Sequence, residues 1–230
     1  MTATPAPFLR ADLWSPSFWC IALIVVSLFC MLPGFFEVPG VDRDETRFSH
    51  ASRQMMAEQE YIDIPFQDGK RYKKPIGIYW LQIGAVKTLE TVTGGTEPPI
   101  WAYRIPSLIG AVGAVLLTFW IATQFVSPFA AGLAGMLMAI SILPGFEAKI
   151  AKTDAVLLAF ILLAQGFLAK AYLNREKPLQ LIPWALFWGA IACGILVKGP
   201  VILLVTGATL LVLMVFDRSI GVLKRLRPLM

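Results

Sequence analysis

Five stretches of the chain contain no Lys, Arg, Asp or Glu: Leu13 to Phe36, Ile105 to Phe146, Ala155 to Ala169, Pro178 to Val197 and Gly199 to Phe216. A helix needs about 20 mostly apolar residues to cross the ~30 Å hydrocarbon core of a bilayer, where only helices or closed barrels satisfy the backbone. The run from Ile105 holds two such helices, separated by a turn at Ser127-Pro128. The pattern predicts six membrane-crossing helices, at about 18–36, 105–126, 128–146, 155–173, 181–197 and 200–216. Between the first and second, the pattern changes. Phe48, Ala51 and Met55 recur at helical spacing while Arg47, Arg53 and Glu58 fall on other faces, which predicts an amphipathic helix along the membrane surface. Gln67-Asp-Gly-Lys70 reads as a tight turn. A second helix starts with Pro75 at its first position and carries Ile76, Tyr79, Trp80, Ile83 and Val86; its uncharged stretch of twelve residues is too short to span. The expected fold is an all-α polytopic membrane protein, one transmembrane domain over 1–230, with two amphipathic juxtamembrane helices in the first external loop, 37–104.

Composition agrees and narrows the function classes. The chain is 57% hydrophobic and only 15% charged, with a mean hydropathy of +0.69, against about 45–50% and 25% for a soluble domain. Disordered and soluble-enzyme classes are thereby excluded. The net charge of +5 is a topology signal and not a nucleic-acid surface. Arg10, then Lys170, Arg175 and Lys177, then Arg218, Lys224, Arg225 and Arg227 fall on one side, against Lys149, Lys152 and Lys198 in the short loops opposite. The positive-inside rule places both termini in the cytoplasm. The first span is too long for a signal-peptide core and lacks a small-residue cleavage pattern, so it is read as retained. Cys20, Cys30 and Cys193 all lie in predicted spans, where thiols pack as small hydrophobes and form no disulfide or metal framework.

Ten of the fifteen carboxylates lie between Glu37 and Glu97, so the external loop is where chemistry is expected. Asp44 stands at the expected N-cap of the first amphipathic helix, where a carboxylate accepts backbone N–H bonds. Asp154 and Lys198 fall at the outer edges of spans, where ionisable groups are costly unless they pair or line a wet cavity. Asp44, Lys73, Lys74, Asp154 and Lys198 face one aqueous boundary in this topology, a mixture of acids and cations suited to a substrate carrying a phosphate and a reacting hydroxyl.

Asp44-Glu-Thr-Arg47 after the first helix, Tyr72-Lys-Lys-Pro75 with Tyr79-Trp80, Thr153-Asp154 and Lys198-Gly199 follow one another in a recognisable order. The sequence resembles the N-terminal part of the membrane glycosyltransferases of the protein O-mannosyltransferase superfamily (glycosyltransferase family 39), above all the bacterial branch that transfers aminoarabinose in lipopolysaccharide modification. The resemblance implies a GT-C-like fold and transfer of a sugar from a polyprenyl-phosphate carrier, with lipid A, another glycan or a protein as acceptor. It implies a site on the periplasmic side of the inner membrane and no nucleotide sugar. By the same resemblance, Asp44 matches the catalytic base or acceptor-orienting acid and Arg47 the basic residue of its element. Lys74 matches the lysine that reaches the donor phosphate, and Asp154 with Lys198 the polar pair of the cavity, where Lys198 is expected to bind the donor phosphate with Lys74; Glu45, Lys73 and Tyr72 are supporting residues. Relatives carry a carboxylate before that lysine, implicated in a metal site, where this chain has Lys73; no cofactor is therefore assigned. The C-terminal part of the family is expected to be absent from this chain, which points to a missing domain or a partner subunit alongside membrane lipids. Plainer roles stand beside these: Asp44 as a cap, Asp154 as a cap paired with Lys152, Lys198 as a snorkelling end residue, Lys73 and Lys74 as headgroup contacts. A non-catalytic or truncated protein on this scaffold, binding lipid-linked sugar, is the alternative function.

Overall fold

The computed structural model describes residues 15–40, 42–95, 98–174 and 179–227. Arg10, Arg175 and Lys177, part of the predicted cytoplasmic charge, lie outside the described residues, as does Glu97 of the external loop. The described residues are helical apart from a two-stranded hairpin: α1 (Pro16–Met31), α2 (Arg43–Glu58), β1 (Pro65–Phe66), β2 (Gly69–Lys70), α3 (Gly77–Thr93), α4 (Ile100–Ala122), α5 (Pro128–Ile140), α6 (Ile142–Glu147), α7 (Asp154–Leu173), α8 (Leu181–Lys198), α9 (Val201–Asp217) and α10 (Gly221–Leu226).

All six predicted apolar helices are present, as α1, α4, α5, α7, α8 and α9. Among them α4, α7 and α8 are long and apolar enough to cross a membrane by length and composition, while α1, α5 and α9 are shorter apolar helices. Many of their large side chains face outward, including Phe29, Leu204, Val215 and Phe216, as a lipid-facing surface requires. Three ends differ from the sequence pattern for identifiable reasons. The first helix stops at Met31, five residues early, because Pro33 cannot continue it and Gly34 turns the chain at φ +76°. The helix expected over 128–146 breaks at Ser141, whose extended backbone separates α5 from α6. Pro144 explains the break, since its ring would clash with the carbonyl of Ile140 in a continuous helix. α4 begins at Ile100, five residues before the predicted start, and carries Pro106 inside it. The second amphipathic helix begins at Gly77 with Ile76 as its cap, so Pro75 precedes it and does not occupy its first position. Gln67-Asp68 forms the tip of the β1–β2 hairpin, with Pro65 opposite Lys70 and Gln67 at φ +57°.

Packing joins the loop to the spans. α2 buries Phe48, Ala51 and Met55 against Ile78, Tyr79 and Ile83 of α3, and the same core takes in Val156 and Leu157 of α7, Val197 of α8 and Ile202 of α9. Within it Ser52 Oγ donates to Gln82 Oε1 at 2.7 Å, and Gln82 Nε2 donates to the carbonyl of Ala151 at 3.4 Å. α1 packs through Trp19 and Leu23 on α4 and α5. Gly77 and Gly110 mark approaches to a neighbouring helix backbone. A Cβ at Gly77 would come within 2.7 Å of the Leu196 carbonyl oxygen, and one at Gly110 within 2.8 Å of the Ala155 backbone. Both lie near the polar end of the bundle, so the helices bearing Asp154 and Lys198 are held at backbone contact with α3 and α4.

Candidate functional site

One end of the bundle gathers the start of α2, the start of α4, the α6–α7 link, the start of α7 and the end of α8. The opposite end joins α7, α8, α9 and α10: Tyr172 Oη donates to Asp217 Oδ1, and the indole N–H groups of Trp184 and Trp188 donate to the carbonyls of Arg227 and Leu226.

At the first end, Asp42 and not Asp44 is the N-cap of α2; its Oδ1 accepts the Asp44 backbone N–H at 2.7 Å. Asp42 Oδ2 also takes a hydrogen bond from Lys152, which holds the Asp42 carboxyl below the usual carboxylate range. Lys152 therefore pairs with Asp42 and not with Asp154. Asp44 sits two residues inside the cap, half exposed and free of capping duty, its carboxylate 3.8 Å from Arg47. The expectation that Asp44 caps the helix is corrected on this point. Both aspartates are the right residue type, and Lys152, brought in from another helix, selects Asp42.

Glu45 points the other way. It is 1% exposed and accepts Nε and Nη2 of Arg104 at 2.7 and 3.3 Å, while Arg104 is itself fully buried. Arg104 further donates to the carbonyls of Phe35 at 3.0 Å and Pro39 at 3.3 Å, and the Ala151 backbone N–H donates to Glu45 Oε1 at 3.0 Å. This cluster ties the exit of α1, the start of α2, α4 and the α6–α7 link into one unit. Its members were not linked by the sequence pattern, because Glu45 and Arg104 lie 59 residues apart.

Asp154 opens α7 and forms an ion pair with Lys198, the last residue of α8. Asp154 also lines a cavity of about 490 Å³ with Ala111, Met138, Ser141, Pro144 and Glu147. Glu147 was not singled out in the sequence, where it reads only as the end of a long uncharged run. Its Oε2 is buried and lacks a hydrogen-bond partner. Burial, helped by the charge of Asp154 and opposed by Lys152 and Lys198, raises its carboxyl above the usual range. A carboxyl raised in the folded state stabilises the fold below its unfolded value and ceases to do so as pH climbs through the folded value. Glu147→Gln is thus expected to melt at the same temperature as wild type near pH 4 and at a higher one near pH 8, from thermal unfolding followed between roughly those limits. A parallel pH dependence in both proteins would overturn this assignment.

The 71–75 segment supplies cations. Lys73 is exposed and Lys74 half-buried, and neither has an ion-pair partner among the described residues. Tyr72 is 69% exposed, and its hydroxyl donates to Asp63 Oδ1 at 3.2 Å, beside the Lys70–Asp63 pair. The structure thus commits Tyr72 to the hairpin and leaves Lys74 available. Among the described residues, no three His, Cys, Asp or Glu side chains group as metal ligands. With Lys73 beside Lys74 the local donor set is cationic and does not fit a divalent ion. Beyond this polar end, a groove of about 790 Å³ runs between α3, α4 and α7, its walls formed by Trp80, Leu81, Ile105, Ile109, Val156 and Phe160.

Residues 68–228, well over half of the chain, match the sequence model of the dolichyl-phosphate-mannose-protein mannosyltransferases. The chain is 26% identical over 213 residues to undecaprenyl phosphate-alpha-4-amino-4-deoxy-L-arabinose arabinosyl transferase 2 of Pseudomonas fluorescens, a match covering 90% of this chain and 35% of that protein. It is 26% identical over 160 residues to the corresponding transferase of Pectobacterium atrosepticum, covering 68% of this chain and 27% of the relative. The chain thus spans about a third or less of the curated relatives' length. Its fold is that of ArnT from Cupriavidus metallidurans. The structure of ArnT bound to undecaprenyl phosphate superposes with a TM-score of 0.76 at 20% identity, over 92% of this chain and 38% of ArnT; the apo structure gives 0.77.

Proposed function

The chain belongs to the dolichyl-phosphate-mannose-protein mannosyltransferase family, and from that premise we propose that it transfers a sugar from a polyprenyl-phosphate carrier to a hydroxyl or phosphate acceptor at the outer face of the cytoplasmic membrane. The observation that carries this reading is the charge arrangement at one end of the bundle. There an acid free of capping duty, Asp44, lies in the same loop as the uncommitted cation Lys74, and α3, α4 and α7 form an apolar groove suited to an isoprenoid chain. The domain is a single transmembrane unit, with the site borne by loop 37–104 and completed by α7 and α8. The orientation follows the basic excess: termini inside, Asp44 outside.

In the proposed displacement, Asp44 takes the proton from the acceptor hydroxyl and the acceptor oxygen bonds to the anomeric carbon. The carbon–oxygen bond to phosphate breaks, and its electron pair leaves with the polyprenyl phosphate. Charge grows on that phosphate, and preorganised cations beside a low-dielectric boundary stabilise it there. Lys74 is the free cation for this purpose, assisted by Arg47. Lys198 is half neutralised by Asp154 and orients the cavity wall instead of acting as an independent charge.

Mass spectrometry of the lipid and glycan pool tests the reading. Deletion cells complemented with the wild-type protein are expected to regain one sugar-sized mass increment, which identifies sugar and acceptor together. Lys74→Ala, present in the membrane at equal level, is expected to restore it at least tenfold less. Absence of any increment with wild type, while the protein still retains polyprenyl phosphate, would favour a non-catalytic carrier-binding protein.

A further inference from the structure

Most cations at the polar end are matched to an acid: Lys70 to Asp63, Arg104 to Glu45, Lys152 to Asp42, and Lys198 to Asp154. Arg71 is not. Among the described residues its guanidinium has no ion pair, and its Nε is inaccessible to solvent and without an acceptor in a half-buried residue. What surrounds it is aromatic. The guanidinium carbon lies 5.8 Å from the ring centroid of Phe48 and 5.5 Å from that of Phe66, so two faces hold its plane. Its backbone N–H is fixed by the carbonyl of Ile64 at 2.7 Å.

The setting is close to Asp44. Phe48 follows Asp44 by four residues on α2, which stacks the two side chains on one helix face. Tyr79, fully buried on α3, has its hydroxyl beside Arg71 and makes no well-formed hydrogen bond to any group among the described residues. Burial raises this phenol, while a loose hydrogen bond from Arg71 and that residue's charge pull it down and the Asp44 charge pushes it up, so all three groups share one neighbourhood. Partly buried donors without acceptors are costly, and charged ones more so. A rigid, planar fork of donors between two rings, beside an acid and three residues before a second free cation, matches the geometry of a phosphate better than that of any group the chain itself supplies.

We propose that Arg71 is a second ligand of the donor's phosphate: its guanidinium grips the two non-bridging oxygens, Lys74 meets as a point charge the oxygen that bridges to the sugar and leaves with the phosphate, and Phe48 and Phe66 hold the fork in plane. This rests on the polyprenyl-phosphate reading above and assigns the phosphate a residue that the sequence resemblance leaves out. Retention of the phosphate after transfer makes the product carrier a suitable probe.

The test measures binding of polyprenyl phosphate to the full-length protein in nanodiscs of phosphatidylcholine. Arg71→Ala is expected to weaken binding about 10- to 100-fold, the span of one or two lost charge-assisted hydrogen bonds. Arg71→Lys keeps the charge and loses the fork, and about tenfold weakening is expected. Phe66→Leu, which removes one wall and leaves the charge, is expected to weaken it several-fold at an unchanged melting temperature. Arg53→Ala, at an exposed cation with no ion pair among the described residues, is the control and should bind as wild type. If Arg71→Ala does not fold, Arg71→Lys and Phe66→Leu decide. Binding by these variants equal to wild type overturns the proposal and leaves the donor reading intact. No binding by wild type overturns both. In a separate arm without polyprenyl phosphate, an equal loss of phosphatidylglycerol retention by Arg71→Ala would identify a general headgroup contact and overturn the assignment to the donor.

Discussion

Arg104→Ala is expected to lower the stability of the folded protein by about 3–5 kcal/mol, the largest effect of any single substitution considered for its framework. The substitution leaves the Glu45 carboxylate, 1% exposed, without its cation, and it strips the carbonyls of Phe35 and Pro39 of their donor. Only the Ala151 N–H remains to Glu45. The damage should be local in origin and wide in effect, because the cluster is where α1, α2, α4 and the α6–α7 link meet. Arg104→Lys keeps a charge but cannot reach Glu45 and both carbonyls from one planar group, so a loss of intermediate size is expected. The pair Glu45→Leu with Arg104→Leu separates charge from packing. Replacing both partners by apolar residues removes the uncompensated charge, and stability should return part of the way while the two carbonyls and the Ala151 N–H stay unpaired. Thermal unfolding in detergent, followed by tryptophan fluorescence, measures all three. An unchanged melting temperature for Arg104→Ala would mean that the cluster does not hold the loop on the bundle.

The same cluster shows what a linear pattern carries and what it does not. The apolar runs mark the spanning helices because lipid exposure imposes hydrophobicity along whole segments: five of the six predicted runs each hold one helix, and the run over 128–146 is split into α5 and α6. The periodicity of Phe48, Ala51 and Met55 was equally legible, since an amphipathic helix displays its buried face at fixed spacing. Charges at the ends of those runs were less so. Arg104 and Glu147 both read as boundaries of the run from Ile105 to Phe146, yet one lies inside α4 as a buried ion-pair partner and the other lines a cavity. Pro106 lies inside α4 although the residue before a proline is biased away from helical backbone; burial of Arg104 against Glu45 overrides that bias. Asp42 and Asp44 are two residues apart and of the same type, and no local signal says which one caps. That choice is made by Lys152, 110 positions away from Asp42. The Asp154–Lys198 pair spans 44 positions and was anticipated only through the resemblance, although the depth of both residues at span edges drew attention to each of them separately. Arg71 carries a signal only once the two rings around it are seen.

The correction at the cap sharpens the catalytic prediction. Had Asp44 been the N-cap, Asp44→Asn would change a helix end and a proposed base at once, and a loss of activity would have two causes. With the cap supplied by Asp42, the two roles fall on different residues and can be measured apart. Asp44→Asn keeps the shape of the side chain and leaves Asp42 Oδ1 accepting the same backbone N–H. The fold should therefore be unaffected, with a melting temperature within about 1 °C of wild type, as for a surface substitution. Transfer should fall by about 10²–10⁴-fold, the contribution of a positioned general base. Asp42→Asn gives the reciprocal pattern. Asparagine caps nearly as well as aspartate, but the ion pair to Lys152 is lost, so a modest drop in stability of about 1 kcal/mol is expected with most of the transfer rate retained. That stabilising contribution has a pH signature: the Asp42 carboxyl is held low by the Lys152 hydrogen bond, so it is present above the ordinary carboxylate range and lost as pH falls through the depressed value. Purified protein in nanodiscs, supplied with polyprenyl-phosphate sugar and the acceptor identified by mass spectrometry, provides the rate. Equal transfer by Asp44→Asn and wild type would remove Asp44 from the chemistry. A sugar covalently trapped on Asp44 would keep it there as a nucleophile and replace the single displacement with a double one.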